Sequence, residues 1–188
     1  MKHIGWAVTG SFCTLDAILP GLTALIDAGY EVTPIISEVV RDTDTRFTCA
    51  RDFRERLETI CGRSCIDTQT AAEPIGPRKL LDALIVAPCT GNTLAKLSNG
   101  IADSTVTLAC KAHLRNNRPL IIAVSTNDAL AGNASNIGHL MARRNVYFVP
   151  LQQDDALQKP CSCVADFAQI HAALNAALQG EQLQPILF

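Results

Sequence analysis

The sequence lacks any apolar run approaching the ~18 residues that a membrane-spanning helix requires, although 48% of its residues are hydrophobic. It also lacks a charge bias: 16 basic residues stand against 18 acidic ones, for a net charge of -2. No basic run or face is present, which argues against nucleic acid as a partner. The first apolar segment, from Met1 to Trp6 and onward, is stopped at Gly10 and Ser11. It is too short for a secretion signal, and no small-residue cleavage site follows it. Together these absences lead us to expect a cytoplasmic protein without a membrane segment.

Histidine is scarce, and the scarcity is informative. The four histidines, His3, His113, His139 and His171, are dispersed, and none neighbours a cysteine pair. Of eight cysteines, only Cys61/Cys65 and Cys161/Cys163 are close in sequence. Neither pair has the further ligands that a zinc site needs, so no metal is expected. Cys13, Cys49, Cys89 and Cys110 stand singly among apolar or small residues, as ordinary buried thiols do in a reducing compartment. There is no Ser/His/Asp constellation, no carboxylate pair at a strand end, and no G-x-G-x-x-G dinucleotide fingerprint.

What is present is an alternation of apolar runs with segments of helical period. Over 188 residues this pattern predicts one α/β domain, three-layered α/β/α and Rossmann-like, with a mostly parallel sheet. Strands are expected over 4–9, 31–36, 81–87, 120–124 and 146–149. Pro88 is read as the end of the third. The first helix is expected to begin at a Thr14 cap, to carry Leu15, Ile18, Leu19, Leu22, Leu25 and Ile26 on its inner face, and to end at Gly29. Residues 38–47 read as a polar loop, 49–60 as a helix, and 61–78 as irregular. Further helices are expected over 93–99, 104–116 (capped by Asp103 or Ser104), 136–144 and 164–178. Residues 151–163 read as a polar loop.

In open parallel sheets, ligands bind beyond the carboxyl ends of the strands. That rule selects Thr9-Gly10-Ser11-Phe12-Cys13, Ser37, Pro88-Cys89-Thr90-Gly91-Asn92-Thr93 and Ser125-Thr126-Asn127, all rich in small hydroxyl, amide and glycine residues. Gly10 permits close approach of backbone to a ligand, and Ser11 can donate to a phosphate oxygen at a helix start. The same residues also make an ordinary Gly-Ser turn. Thr90 and Asn92 can read the polar edge of a planar heterocycle, or they can simply cap the following helix. Arg41, Arg46 and Lys111 are candidate partners for substrate carboxylates, or members of a solvated face.

Thr9-Gly10-Ser11, Ser37 and above all the long segment from Ala87 to Asp103 resemble the flavin-dependent cysteine decarboxylase-like flavoprotein family. That family includes phosphopantothenoylcysteine decarboxylases, peptidyl-cysteine decarboxylases and flavin prenyltransferases. The resemblance implies flavin mononucleotide (FMN) as cofactor. Gly10, Ser11 and Phe12 would form the phosphate turn, and Ser37 would reach the flavin after the second strand. Thr90, Gly91, Asn92 and Thr93 would lie along the isoalloxazine ring, with Ser125 beside them. Asn127 matches the asparagine that positions a substrate carboxylate, and so takes the catalytic role. Homo-oligomers, trimers or dodecamers, are the family's habit.

Residues 43–47, 72–77, 115–119, 125–130 and 182–187 resemble a narrower family, the B subunits of dipicolinate synthases. This resemblance implies a dehydrogenase-like partner, the synthase's A subunit, with NAD(P) as a cofactor through that partner. The implied reaction oxidises dihydrodipicolinate, a dicarboxylate, to dipicolinate during sporulation. The departures bear on mechanism. Decarboxylases place a histidine base shortly before the Pro88 strand, where this chain has Glu73-Pro74-Ile75-Gly76. Their P-x-M-N-x-x-M-W is here Val124-Ser125-Thr126-Asn127-Asp128-Ala129-Leu130-Ala131, and the prenyltransferases' Arg-Glu dipeptide is absent. The leading expectation is therefore a redox subunit. The alternatives are a non-catalytic scaffold for the dehydrogenase-like partner and a surviving decarboxylase.

Overall fold

A computed structural model describes residues 1–188. Five strands run parallel in the order β2 (Glu31–Ile36), β1 (His3–Val8), β3 (Ala83–Cys89), β4 (Leu120–Thr126) and β5 (Val146–Phe148). This order is that of the flavodoxin-like doubly wound folds. A short antiparallel extension, β6 (Leu151–Gln152) and β7 (Cys163–Ala165), is added where Ser125 and Thr126 of β4 pair with β7. The result is a three-layer α/β/α, Rossmann-like fold with a mostly parallel seven-stranded sheet.

The strands are apolar throughout because both sheet faces are covered. Alternation still decides which side chain enters which layer. Ile4, Trp6, Val8, Ile85 and Ile121 face one layer, made by α1 (Leu19–Asp27), α3 (Ala50–Cys61) and α8 (Ile170–Leu178). Ala7, Leu84, Val86, Ile122 and Val124 face the other, made by α5 (Gly91–Ser98), α6 (Thr105–Leu114) and α7 (Ala134–Met141). No helix is long and apolar enough to cross a membrane.

Several sequence expectations are corrected. Thr14 does not cap the first helix. Residues Phe12–Thr14 form a 3-10 turn, and α1 starts only at Leu19, after Ile18 and with no side-chain cap. The Thr14 hydroxyl instead donates back to the Ser11 carbonyl at 2.9 Å, a local bond that competes with helix entry. Residues 38–47 are not all loop, because Glu38–Asp42 forms the short helix α2. The irregular stretch holds one helical turn, α4 (Gln69–Ala72), and the 3-10 turn Glu73–Ile75. Pro88 does not end β3. It sits where the β3–β4 register shifts between Val86 and Cys89, and a missing N–H is tolerated at such an irregularity. Cys163, expected in a loop, and Val164 and Ala165, expected in a helix, form strand β7, and α8 begins only at Ile170.

Other expectations hold. Gly29 follows α1 at φ +85° and Gly100 follows α5 at φ +72°, the left-handed region that stops a helix. Ser104, not Asp103, caps α6 in a reciprocal box with Thr107.

His113, within α6, is 1% exposed. Its Nε2 lies 3.0 Å from the Pro119 carbonyl and its Nδ1 has no partner. Burial drives its pKa from 6.5 down to about 4, so the folded ring is neutral. Between those values the unfolded chain binds more protons than the folded one. Stability therefore falls as pH drops through this window, by on the order of 3 kcal/mol at its acid end. Urea unfolding at about pH 7 and about pH 4.5 is expected to register this loss. A His113→Gln variant, which has nothing to titrate there, is expected to lose less over the same interval.

A strand-end cleft as the candidate functional site

The parallel register brings four carboxyl ends to one edge of the sheet. Val8 pairs with Ile36, Ala7 with Val86, and Cys89 with Val124. The loops that follow are therefore neighbours in space. Thr9, 2% exposed, links two of them. Its hydroxyl donates to the Pro88 carbonyl at 2.8 Å and accepts from the Thr90 N–H at 3.0 Å. Ser11 and Ser125 join the first loop to the fourth, with their hydroxyls 2.8 Å apart.

Between these loops lie two adjoining clefts that share Gly10 and Thr90. The first, about 440 Å³, is bounded by Thr9, Ser37–Val39, Asn92–Thr93, Lys96, and Asp103–Ser104. The second, about 750 Å³, is bounded by Ser11–Thr14, Ser125–Asn127, Arg46–Phe47, and by Asp154, Lys159, Ser162 and Val164. Of the sequence-selected residues, Gly10, Ser37, Thr90, Asn92 and Thr93 wall the first cleft. Ser11, Phe12, Ser125 and Asn127 wall the second.

Gly91 lines neither. A Cβ at this position would lie 2.7 Å from Thr126 Oγ1 and 2.8 Å from Asp128 Oδ1. The missing side chain is what lets α5 approach the loop after β4. That loop is organised by Asp128, which accepts from the Thr126 hydroxyl at 2.6 Å and from Asn133 Nδ2 at 2.8 Å.

Most polar groups here already have partners. Thr90 caps α5, accepting from the Thr93 N–H, so the capping reading of that residue is realised alongside its place in the wall. Ser37 differs. Its hydroxyl is buried and has no hydrogen-bond partner. It precedes α2 without capping it. Buried hydroxyls are bonded in the great majority of cases, so an orphan in a cleft wall marks a place where a ligand atom fits. Gly10 adds to this, since a Cβ there would stand 3.0 Å from Val39 Cγ1.

Apart from Arg46, the charged residues of the rim escaped the sequence reading. Glu38 lay in what read as loop. Its Oε1 accepts from both the N–H and the hydroxyl of Thr105, at 2.9 and 2.7 Å, and so ties α2 to the start of α6. Lys96 and Asp103 pair at 2.8 Å. The Lys96 ammonium holds the Asp103 carboxyl below its usual pKa. Both fall inside the long 87–103 segment, whose polar positions were the available signal. Asp154, which read as a solvated loop residue, lines the second cleft and pairs with Lys159. Arg46 enters the same cleft with no ion pair of its own, its guanidinium 4.8 Å from the Phe47 ring centre. Arg41 and Lys111 line neither cleft: Arg41 pairs with Asp42 at 2.6 Å, and Lys111 lies on α6 away from both. All four histidines also lie outside both clefts.

A row of strand-end loops around a polar cleft on a 2-1-3-4-5 sheet defines a class of cofactor-binding α/β proteins. A family model described as Flavoprotein matches residues 1–175, and the chain belongs to that family. Within it, the chain is similar to the B subunit of dipicolinate synthase from Bacillus subtilis (strain 168). The two are 42% identical over 186 residues, 99% of this chain and 93% of that protein. The crystal structure of the dipicolinate synthase B subunit from Bacillus halodurans matches with a TM-score of 0.92 and 41% identity, over 100% of this chain and 96% of the other. The FMN-dependent cysteine decarboxylase SpaF shares the fold at a TM-score of 0.66 and 22% identity, over 96% and 97% of the two chains. The sequence-based resemblance is thus borne out at both levels.

Gly91→Ala is expected to lower stability by about 1–3 kcal/mol, because its methyl group meets polar atoms of a packed loop. Urea denaturation measures this directly.

Proposed function

We propose that this one-domain chain is the B subunit of a two-component dipicolinate synthase and carries FMN in the strand-end cleft. The orphaned Ser37 hydroxyl beside Gly10 carries this reading, because a phosphate-bearing ligand supplies the acceptor that the hydroxyl lacks. In this reading Ser37, Gly10, Thr90 and Thr93 line the cofactor's polar end, with Asn92 at the rim. Ser11, Phe12 and Ser125 floor the adjoining cleft where substrate enters. Gly91 contributes by close packing rather than by contact. When bound, the flavin supplies an acceptor for the two electrons released as a dihydropyridine ring becomes aromatic.

The chain's own residues then bind and orient. Asn127, exposed just after β4 and lining the second cleft, donates its amide N–H to a substrate carboxylate. Arg46 offers a charge-assisted partner across the cleft. The dehydrogenase-like A subunit is the protein partner, NAD(P) works through it, and a homo-oligomer in a cytoplasmic, sporulating setting completes the reading. Decarboxylation is not favoured, since no histidine reaches either cleft.

The purified chain is expected to be yellow, or to become so with added FMN, with flavin absorbance retained after desalting. Ser37→Ala is expected to weaken FMN uptake about tenfold, the loss of one charge-assisted hydrogen bond. A colourless chain that takes up no flavin yet still supports its dehydrogenase-like partner would instead establish the scaffold reading.

Asn127→Ala is expected to cut dipicolinate formation in the presence of that partner by about tenfold or more, with FMN uptake unchanged. Product assay and flavin absorbance on the same samples separate the two effects.

A further inference from the structure

The second cleft carries more charge than the cofactor and Asn127 account for. Two cations enter it from opposite edges of the sheet. Arg46 comes from the segment between α2 and α3, next to edge strand β2. Lys159 comes from the loop between β6 and β7, at the other edge. Sequence separation and topology keep these residues apart, yet both line one cavity of about 750 Å³, together with Ser125, Thr126 and Asn127 at the end of β4.

Their present partners differ in kind. Arg46 has no carboxylate partner, only the Phe47 ring. Lys159 rests 3.1 Å from Asp154, with its side chain 59% exposed and that of Asp154 28% exposed. An ion pair so open to water is weak and readily exchanged. The Asp154 carboxylate beside it raises the Lys159 pKa, so the ammonium is fully charged at neutral pH. A small molecule with a single carboxylate needs one such cation. A cleft with a cation arriving from each side of a central amide donor is matched to a ligand with a carboxylate at each end.

We infer that Lys159 is the second carboxylate anchor of this cleft, exchanging Asp154 for a substrate carboxylate, so that the site selects dicarboxylates over monocarboxylates. The inference rests on the dicarboxylate reading of the cleft. It adds a specificity-determining residue on the hairpin loop, with Asp154 as the competing counter-ion that a substrate carboxylate displaces.

The test is titration calorimetry on the full chain with FMN present, using pyridine-2,6-dicarboxylate and pyridine-2-carboxylate as ligands. The unaltered chain is expected to bind the dicarboxylate about tenfold or more tightly than the monocarboxylate. Lys159→Met and Lys159→Gln are each expected to lose that preference by weakening only the dicarboxylate. Lys159→Arg is expected to keep most of it, and Asp154→Asn to tighten dicarboxylate binding several-fold by removing the competitor. Unchanged dicarboxylate binding in both neutral variants, or an equal loss for both ligands, overturns the role of Lys159 while leaving the dicarboxylate reading intact. If the unaltered chain binds neither ligand, the dicarboxylate reading itself fails, and the inference fails with it.

Discussion

The parallel pairing of β1 between β2 and β3 is the constraint on which the rest of this molecule depends. It requires strands that are apolar on both faces, and Ile4, Trp6 and Val8 against Ala7 supply the two sets. Once β1 is in register with both neighbours, three strands must turn at the same level, and β4 adds a fourth. The cleft is the space left between those turns. The Thr9 hydroxyl, bonded to Pro88 and Thr90 across the sheet, makes the turn after β1 and the turn after β3 one rigid unit.

Two kinds of polar group meet in that space. The floor is built of neutral hydroxyls and amides from the central strands, nearly all of them satisfied by one another. Such groups hold their positions because a low-dielectric surrounding makes an unpaired alternative costly. Among the buried hydroxyls of the cleft walls, only that of Ser37 is without a partner. Charge, by contrast, sits on the rim, on Lys96 and Asp103 from the β3–β4 connection in one cleft and on Arg46, Asp154 and Lys159 from the two edges of the sheet in the other. The placement keeps ions near water, where desolvation is small, while leaving them within reach of a bound ligand.

Much of this was legible in advance where the signal is local. The β2 boundaries, the parallel sheet, the stops at Gly29 and Gly100 and the four strand-end loops all follow from period, from apolar runs and from the left-handed freedom of glycine. Legibility ended where local bonds competed with distant ones. Thr14 has the composition of a cap, yet its hydroxyl bonds back to Ser11, and the helix starts later. Val164 and its neighbours look helical, yet β4 has an open edge at Ser125 and Thr126 that captures them as a strand. Pro88 looks like a stop, yet a shift in register absorbs it. Glu38 read as a loop residue, and its role went unseen because its partner Thr105 is far away in the chain.

By itself, then, the sequence determined the class of fold and the chemistry of the central cleft, because both are written in short-range patterns: alternating layers, and small polar residues just after each apolar run. Tertiary structure alone decided which of those residues wall the same space, that Gly91 is a packing contact, and that a hydroxyl at position 37 is left without a partner. It alone also brought Arg46 and Lys159 into one cavity. The physical reason is that these facts depend on strand order and register, through which loops from opposite edges of the sheet converge, and no spacing along the chain encodes that convergence.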